Sequence, residues 1–238
     1  MQAFATVTNH RQIRTMTGRV LASAGLVLLL PMLLAIALLV RVGDGGPVFY
    51  CHPRIGRGGR IFLMWKFRTM TCGADRRGPS LTVHNDQRVT PVGRRLRRWR
   101  LDELPQLWNV VLGEMELVGP RPEFPSNAEK YPSAVRPVLS VCPGLTDPGT
   151  LGFLYRETEI ISAAADPVAA YLDFVVPPRA RLSLAYHQRA TVWSDLTVLA
   201  STFYALLRPS AAVRCAYQLV PHLLGQEATG DGCLSRLA

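Results

Sequence analysis

Residues 20–40 read VLASAGLVLLLPMLLAIALLV, without a single charge, between Arg19 and Arg41. About 20 consecutive apolar residues can cross the hydrocarbon core of a bilayer as one helix. No convincing small-x-small cleavage site follows, which argues against a removed signal peptide. Two features complicate a simple crossing. Pro31, at the centre, removes a backbone hydrogen bond and kinks a helix. The flanks also carry the same sign: Arg11, Arg14 and Arg19 precede the segment, and Arg41, Arg54, Arg57, Arg60, Lys66 and Arg68 follow it. Positive flanks prefer the cytoplasmic side, and here both are positive. A helix that enters, bends at Pro31 and leaves on the same side satisfies both features. A single span with a tolerated proline is the other reading, and these residues alone do not separate the two.

The chain has 238 residues, enough for one domain with attachments, and a formal charge of +10. Of its 27 basic residues only Lys66 and Lys130 are lysines. An arginine excess suits phosphate-bearing partners, which the planar guanidinium holds in a fork. A GC-rich codon usage produces the same excess. Cys51, Cys72, Cys142, Cys215 and Cys233 are odd in number and form no CxxC pair. They argue for a reducing compartment and against a disulfide framework or a zinc site. The histidines show no metal-ligand spacing. There is no internal repeat, no P-loop and no dinucleotide-binding glycine pattern.

Residues 45–70 read GGPVFYCHPRIGRGGRIFLMWKFRTM, two β-forming runs around the turn chemistry of GRGG, so a hairpin is expected. In the second run Ile61, Leu63, Trp65 and Phe67 share one face, and Phe62, Met64, Lys66 and Arg68 share the other. The two aligned cations are either a solvated face or part of a site. Residues 71–85 read as loop. Val92, Leu96 and Trp99 then recur at helical spacing among Arg94, Arg95, Arg97, Arg98 and Arg100. A short, strongly cationic helix with a narrow apolar edge fits an anionic membrane surface, and also nucleic acid.

Asp102 and Glu103 follow, ahead of a helix whose apolar face is expected to be Leu104, Leu107, Trp108 and Val111, with Pro105 in its first turn and Gly113 at its exit. A carboxylate at a helix N-terminus caps free N–H groups and is favoured by the dipole. Capping explains one acid more easily than two. Arg121 lies between Pro120 and Pro122, whose rings restrict its backbone, a constraint useful for an arginine that must hold a phosphate in one place. Beyond Pro143-Gly144, DPVAAYLDFV and the stretch from Pro177 to Pro209 read as helices begun by prolines, with Asp195 as a solvated helix residue. The last thirty residues read as a tail or a short peripheral helix.

These pieces, in this order, resemble the bacterial sugar transferases that act as monotopic polyprenyl-phosphate phosphoglycosyl transferases. The resemblance rests on GGPVFY and RIGRGGRIFLMWKFRTM, on DQRVTPVGRRLRRWRLDELPQLWNVVLGEMELVGPRPE and on PGLT, with a weaker echo in DLTVLAST. It covers residues 17–207 and is dense over 45–123. It implies a mainly α fold with a small β-hairpin (α+β): a membrane segment over 1–43 built as a Pro31-broken re-entrant helix, a catalytic domain over 44–208 with amphipathic interfacial helices, and a tail over 209–238. It implies a protein at the cytoplasmic face of the bacterial inner membrane. Such a protein passes a sugar-1-phosphate from a UDP-sugar to undecaprenyl phosphate and releases UMP, with Mg²⁺, to begin capsule, exopolysaccharide, O-antigen or glycoprotein glycan assembly. By the family pattern Asp102 is the nucleophile and Glu103 binds the metal or positions the groups around it. Lys66, Arg68 and Arg121 are candidates for phosphate, Asp86 and Arg88 support the site, and Trp99 belongs to the membrane-facing helix. No nucleic-acid partner is implied, and a homo-oligomer is compatible. No multi-span segment precedes the catalytic part, so the short form of the family is expected. Two departures stand out. Leu30 occupies the place where the family often has Ser before the proline. After PGLT the chain continues DPGTLGFLYRE, which leaves the sugar unnamed. The rival reading is a non-catalytic, membrane-tethered, Arg-rich module for nucleic acid or anionic lipid, which leaves the acid pair without a purpose.

Overall fold

The computed structural model describes the backbone of residues 2–74 and 86–220, and their side chains from Gln12 onward. The side chain of Arg11, most of the 71–85 loop, Cys233 and residues 221–238 lie outside the described residues. The architecture is mainly helical with two small two-stranded sheets.

Helix α1 spans Gln2–Asp44 and contains Pro31 in its interior. The expected break is absent: the helix continues on both sides of the proline. The reason is packing. Ala22, with Leu26 and Leu29, meets Phe62, Met64, Leu107, Val110 and Met115. Ile36 and Val40 meet Phe67 and Leu96. With Leu33, which packs beside Ile36, these positions recur every three or four residues, one helix face. An interior proline costs about 3 kcal/mol, and each well-buried aliphatic side chain returns roughly 1.5–3 kcal/mol, so a row of them outweighs it. At the other end of the stripe Arg14 clasps Asp195 through Nε and Nη2, at 2.7 and 2.9 Å. Thus α1 lies along the rest of the molecule instead of standing off it, and presents Val27, Leu28, Leu34 and Leu38 outward. It is long and apolar enough to cross a membrane by length and composition.

The hairpin forms as its turn chemistry predicts. Strand β1 (Phe49–Ile55) pairs antiparallel with β2 (Ile61–Phe67), and Gly58 and Gly59 supply positive φ in the turn. One face of the ladder sets Tyr50 against Lys66, His52 against Met64 and Arg54 against Phe62. Arg68 falls beyond the end of β2. Helices α2 (Pro91–Arg98) and α3 (Gln106–Leu112) follow. A second sheet was not expected: β3 (Glu116–Val118) pairs in parallel with β4 (Gly144–Thr146). The glycine of PGLT is needed there, because a Cβ on Gly144 would lie 2.2 Å from the Gly119 nitrogen.

The remainder is helical: α4 (Pro125–Ala128), α5 (Pro148–Gly152), α6 (Arg156–Ala163), α7 (Pro167–Ala170), α8 (Val176–His187), α9 (Val192–Leu207) and α10 (Ala212–Gln218). A Thr191–Ser194 capping box starts α9. Asp195, expected as a solvated residue, instead receives Arg14 and the Tyr186 hydroxyl, the latter at 2.7 Å. The segment from 209, expected as a tail or a short peripheral helix, opens with the short helix α10, whose Ala212 and Ala216 pack against Leu151 of α5.

Candidate active site

Three elements converge on the acid pair. Thr90 caps α2, accepting from the Gly93 N–H at 2.9 Å, and Pro91 occupies its first turn. Gly93 lets α2 press on the backbone that leaves β2, since a Cβ there would lie 2.1 Å from the Thr69 carbonyl oxygen. Arg97 adds a hydrogen bond from Nε to Thr69 Oγ1 at 2.8 Å. After α2 the chain reverses at Arg100, which adopts φ +54°, the left-handed region. A non-glycine residue there costs roughly 1–2 kcal/mol, and it is the one such residue among those described. The reversal turns Leu101–Glu103 into a short 3₁₀ turn that carries both acids inward.

Glu103 is clasped by cations. Its Oε1 accepts from Lys66 Nζ at 2.9 Å, from Arg121 Nη2 at 3.0 Å and from Arg100 Nη1 at 3.3 Å. Burial opposes its charge, but Arg121, Lys66 and Arg100 outweigh burial and hold it well below the usual carboxylate range. Glu103 in turn raises Arg121. Burial pushes Lys66 down to about 8, against the pull of Glu103. Asp102 differs. It is 6% exposed, and its Oδ1 is buried without a hydrogen-bond partner. Burial, then the charge of Glu103, push its carboxyl up; Lys66, Arg100 and Arg97 pull it down. One expectation is corrected here: Asp102 does not cap α3, because it closes a turn of its own and Pro105 takes the N-cap position without a side-chain bond.

The pair faces a cavity of about 1080 Å³ whose wall includes Lys66, Arg94, Arg97, Arg98, Arg100 and Arg121. Asp86, Arg88 and Arg68 line it as well. Asp86 and Arg88 are bound to each other, with Arg88 Nη2 at 2.7 Å from Asp86 Oδ2. Arg68 reaches the cavity from beyond β2, but its guanidinium is forked onto Asp44 at the end of α1 and its Nε donates to the Pro47 carbonyl at 2.5 Å. Lys66 and Arg68, which the strand pattern aligns, therefore serve different carboxylates. Trp99 caps the end of α2 and is exposed, with the Arg98 guanidinium carbon 5.8 Å from its ring centre. Pro31 lies within α1.

Several members went unread in the sequence. The buried face of α3 is Gln106, Leu107, Asn109 and Val110, whereas Trp108 is exposed. Asn109 closes the free edge of β2: its Oδ1 accepts from the Trp65 N–H at 3.1 Å and its Nδ2 donates to the Leu63 carbonyl at 2.8 Å. Behind Arg121, Glu123 is buried and fully engaged. Its Oε2 accepts from the hydroxyls of Tyr131 (2.6 Å) and Tyr171 and from Arg179 Nη2 (3.3 Å). Its Oε1 accepts from the Phe124 N–H (2.8 Å) and Asn127 Nδ2 (3.2 Å), with Arg54 Nη1 at 3.7 Å. The alternation of FYCHPRI places Tyr50, His52 and Arg54 on one strand face and could have flagged them.

The residues present admit a hard cation such as Mg²⁺, although among the described residues no group of three His, Cys, Asp or Glu could hold a metal alone. Asp102 Oδ1 is an uncommitted carboxylate oxygen, the ligand type Mg²⁺ takes, and that ion commonly relies on one or two carboxylates plus substrate phosphates. Glu103 Oε1 is already taken by three cations.

A buried acid with a free oxygen is thus set in an arginine-lined cavity of a chain that also carries a long apolar helix. The model of the bacterial sugar transferase family matches residues 9–209, and the chain belongs to that family. It is 45% identical over 140 residues to the exopolysaccharide production protein ExoY of Rhizobium meliloti, covering 52% of this chain and 62% of that one. It is 32% identical over 198 residues to the UDP-glucose:undecaprenyl-phosphate glucose-1-phosphate transferase of Escherichia coli, covering 82% and 40%. It is 44% identical over 93 residues to the UDP-N-acetylgalactosamine-undecaprenyl-phosphate N-acetylgalactosaminephosphotransferase of Aeromonas hydrophila, covering 39% and 22%. The chain thus spans less than two thirds of the length of each of these relatives.

Proposed function

We propose that the protein transfers a sugar-1-phosphate from a UDP-sugar to polyprenyl phosphate, through a covalent intermediate on Asp102, and releases UMP. The observation that carries this reading is the unpartnered Asp102 Oδ1, buried in a cation-lined cavity next to a Glu103 whose own charge is already balanced. A carboxylate oxygen of Asp102 attacks the β-phosphorus of the donor. The bond from that phosphorus to the oxygen bridging to the α-phosphate breaks, and UMP departs with the electron pair. An oxygen of polyprenyl phosphate then attacks the same phosphorus, the acyl-phosphate bond breaks, and the Asp102 carboxylate is regenerated with a polyprenyl diphosphate-sugar as product. Covalent catalysis of this kind splits one displacement into two.

The chain's other residues position and neutralise. Lys66, Arg100 and Arg121 favour the carboxylates and stand by for the donor's diphosphate, together with Arg97 on α2. Phosphoryl transfer is mainly positioning and charge stabilisation. Asp102 and Glu103, with diphosphate oxygens, would hold Mg²⁺, which when bound offsets charge on the leaving group. The protein sits on one face of the cytoplasmic membrane without crossing it, a reading supported by α1 lying along the body and by the exposed Trp99 at the end of α2 and Trp108 and Leu112 on α3. The product would enter exopolysaccharide synthesis, a reading supported by the name of the Rhizobium meliloti relative. Purified protein in nanodiscs, given Mg²⁺, undecaprenyl phosphate and a panel of UDP-sugars, is expected to release UMP. Release of UDP would mean ordinary glycosyl transfer and would overturn the reading.

A further inference from the structure

The inward face of β1 carries a buried pair, His52 and Arg54, that line the same cavity and have no part in the reaction above. Arg54 is held firmly. Its Nη1 donates to the Pro122 carbonyl at 3.1 Å, and its guanidinium carbon lies 3.3 Å from the centre of the Phe124 ring. Its Nε donates to His52 Nδ1 at 3.0 Å. A guanidinium has donors only. Nδ1 is therefore the bare nitrogen of His52, and the hydrogen of the neutral ring sits on Nε2. Protonating Nδ1 would oppose two N–H groups beside a fixed cation. Burial, then the charges of Arg54 on the same strand, Lys66 on β2 and Arg121 after β3, hold the imidazole down to about 2, with the Pro53 carbonyl a weaker opposing influence. The ring stacks on Phe124 at 5.2 Å and 27°, and lies 5.4 Å from the Tyr50 ring.

Beside its hydroxyls, the cavity wall thus holds two kinds of nitrogen donor. Lys66, Arg97, Arg100 and Arg121 are cations, matched to phosphate oxygens. His52 is an uncharged N–H of fixed tautomer, framed by aromatic rings. Polar groups of that kind in a partly apolar wall fix the orientation of the uncharged part of a ligand. We infer that His52 reads the transferred sugar: its Nε2–H donates to a hydroxyl or amide-carbonyl oxygen of the hexose, and Arg54 is the positioning residue that sets its tautomer. This rests on the phosphoglycosyl-transfer reading.

The test compares full-length wild type, His52→Leu and His52→Gln in nanodiscs. UMP release is measured with UDP-glucose, UDP-galactose, UDP-N-acetylglucosamine and UDP-N-acetylgalactosamine. Absence of UMP from wild type with every donor removes the underlying reading and this inference with it. With wild type active, His52→Leu is expected to lose about tenfold in kcat/KM for the preferred donor, the scale of one neutral hydrogen bond. It should lose less for the others, so the preference between donors shifts. His52→Gln, which keeps an N–H, should recover most of the loss. An equal loss for all donors, matched by weaker inhibition by UMP, would put His52 on the nucleotide and overturn the inference; so would unchanged kinetics. Should His52→Leu fail to fold, ¹⁵N NMR of the wild-type histidines decides, with the His52 signal identified by its absence in His52→Gln. A neutral Nε2–H ring is expected throughout pH 5–8, and a His52 that titrates in that range overturns it.

Discussion

Glu123 is buried and Glu103 nearly so, and both meet arginines, yet they sit in opposite kinds of surroundings. Glu123 accepts from two tyrosines, an asparagine, a backbone N–H and an arginine, and uses both oxygens. Glu103 gathers three cations on one oxygen, and the acid next to it keeps a buried oxygen with no partner. A saturated carboxylate has nothing left to offer a substrate, and its partners stay where they are. An unsaturated pair is costly in the empty protein, and that cost is tolerable where a ligand completes the set. On the proposed function, the difference separates a structural hub from a reactive centre, although both lie in the same short stretch of chain and border the same cavity.

The strongest way to break this comparison is Asp102→Asn. Loss of the nucleophile should lower UMP release by about a thousandfold or more. The melting temperature should hold or rise, because a neutral amide replaces a carboxyl whose charge is disfavoured by burial. Retained activity would show that the free oxygen is not the attacking atom. Glu103→Gln comes next. It leaves Lys66, Arg100 and Arg121 sharing a neutral group, and turnover should fall about a hundredfold, measured by the same assay alongside retained membrane association. A loss no larger than that of an average surface change would remove Glu103 from the site.

The acid pair, the hairpin and α2 were legible because each is a local pattern. Asp102 and Glu103 are adjacent; the hairpin shows period two around GRGG; Val92, Leu96 and Trp99 recur at helical spacing. Glu123 was not legible, since its partners Tyr171 and Arg179 lie far along the chain. The face of α3 was misread for a related reason. Asn109 is buried because Leu63 and Trp65 of β2 satisfy it, so a polar residue takes a core position and Trp108 points out. The parallel pair β3–β4 has strands of three residues, too short for alternation to register. Pro31 suggested a break that a row of packed side chains overrides.

Glu123→Gln should show the reverse profile of Asp102→Asn. Arg54 and Arg179 lose their shared counter-charge in a buried place, which costs about 3 kcal/mol and lowers the melting temperature by roughly 6–12 °C for a chain of this size. Turnover per folded molecule should stay within about tenfold. The acid dependence sharpens the point. Arg179, Arg54 and the tyrosine hydroxyls outweigh burial and depress the Glu123 carboxyl in the folded state. Its stabilisation is therefore complete above the ordinary carboxylate pKa of about 4.3 and is lost as pH falls through the depressed value. Thermal melts between pH 3 and 7 should show a steeper acid decline in wild type than in Glu123→Gln. Equal slopes would mean that Glu123 does not carry this dependence.

The smallest expected effect concerns Arg68, which borders the cavity while its guanidinium is committed to Asp44. If that fork only ties the end of α1 to the hairpin, Asp44→Asn and Arg68→Met should each cost little. Their coupling should be about 0.5–1 kcal/mol, as for a partly exposed pair, and turnover should change by no more than about threefold. Arg68 would then stand with Glu123 as a saturated group. A double-mutant cycle read in both stability and kcat/KM decides. Coupling in stability with little change in kcat/KM keeps Arg68 a strut. A drop in kcat/KM of tenfold or more for Arg68→Met, absent in Asp44→Asn, would mean that the guanidinium leaves Asp44 for the donor's phosphates. In that case a partner seen in the empty protein does not exclude a second partner when substrate arrives, and saturation would have to be judged group by group with the donor bound.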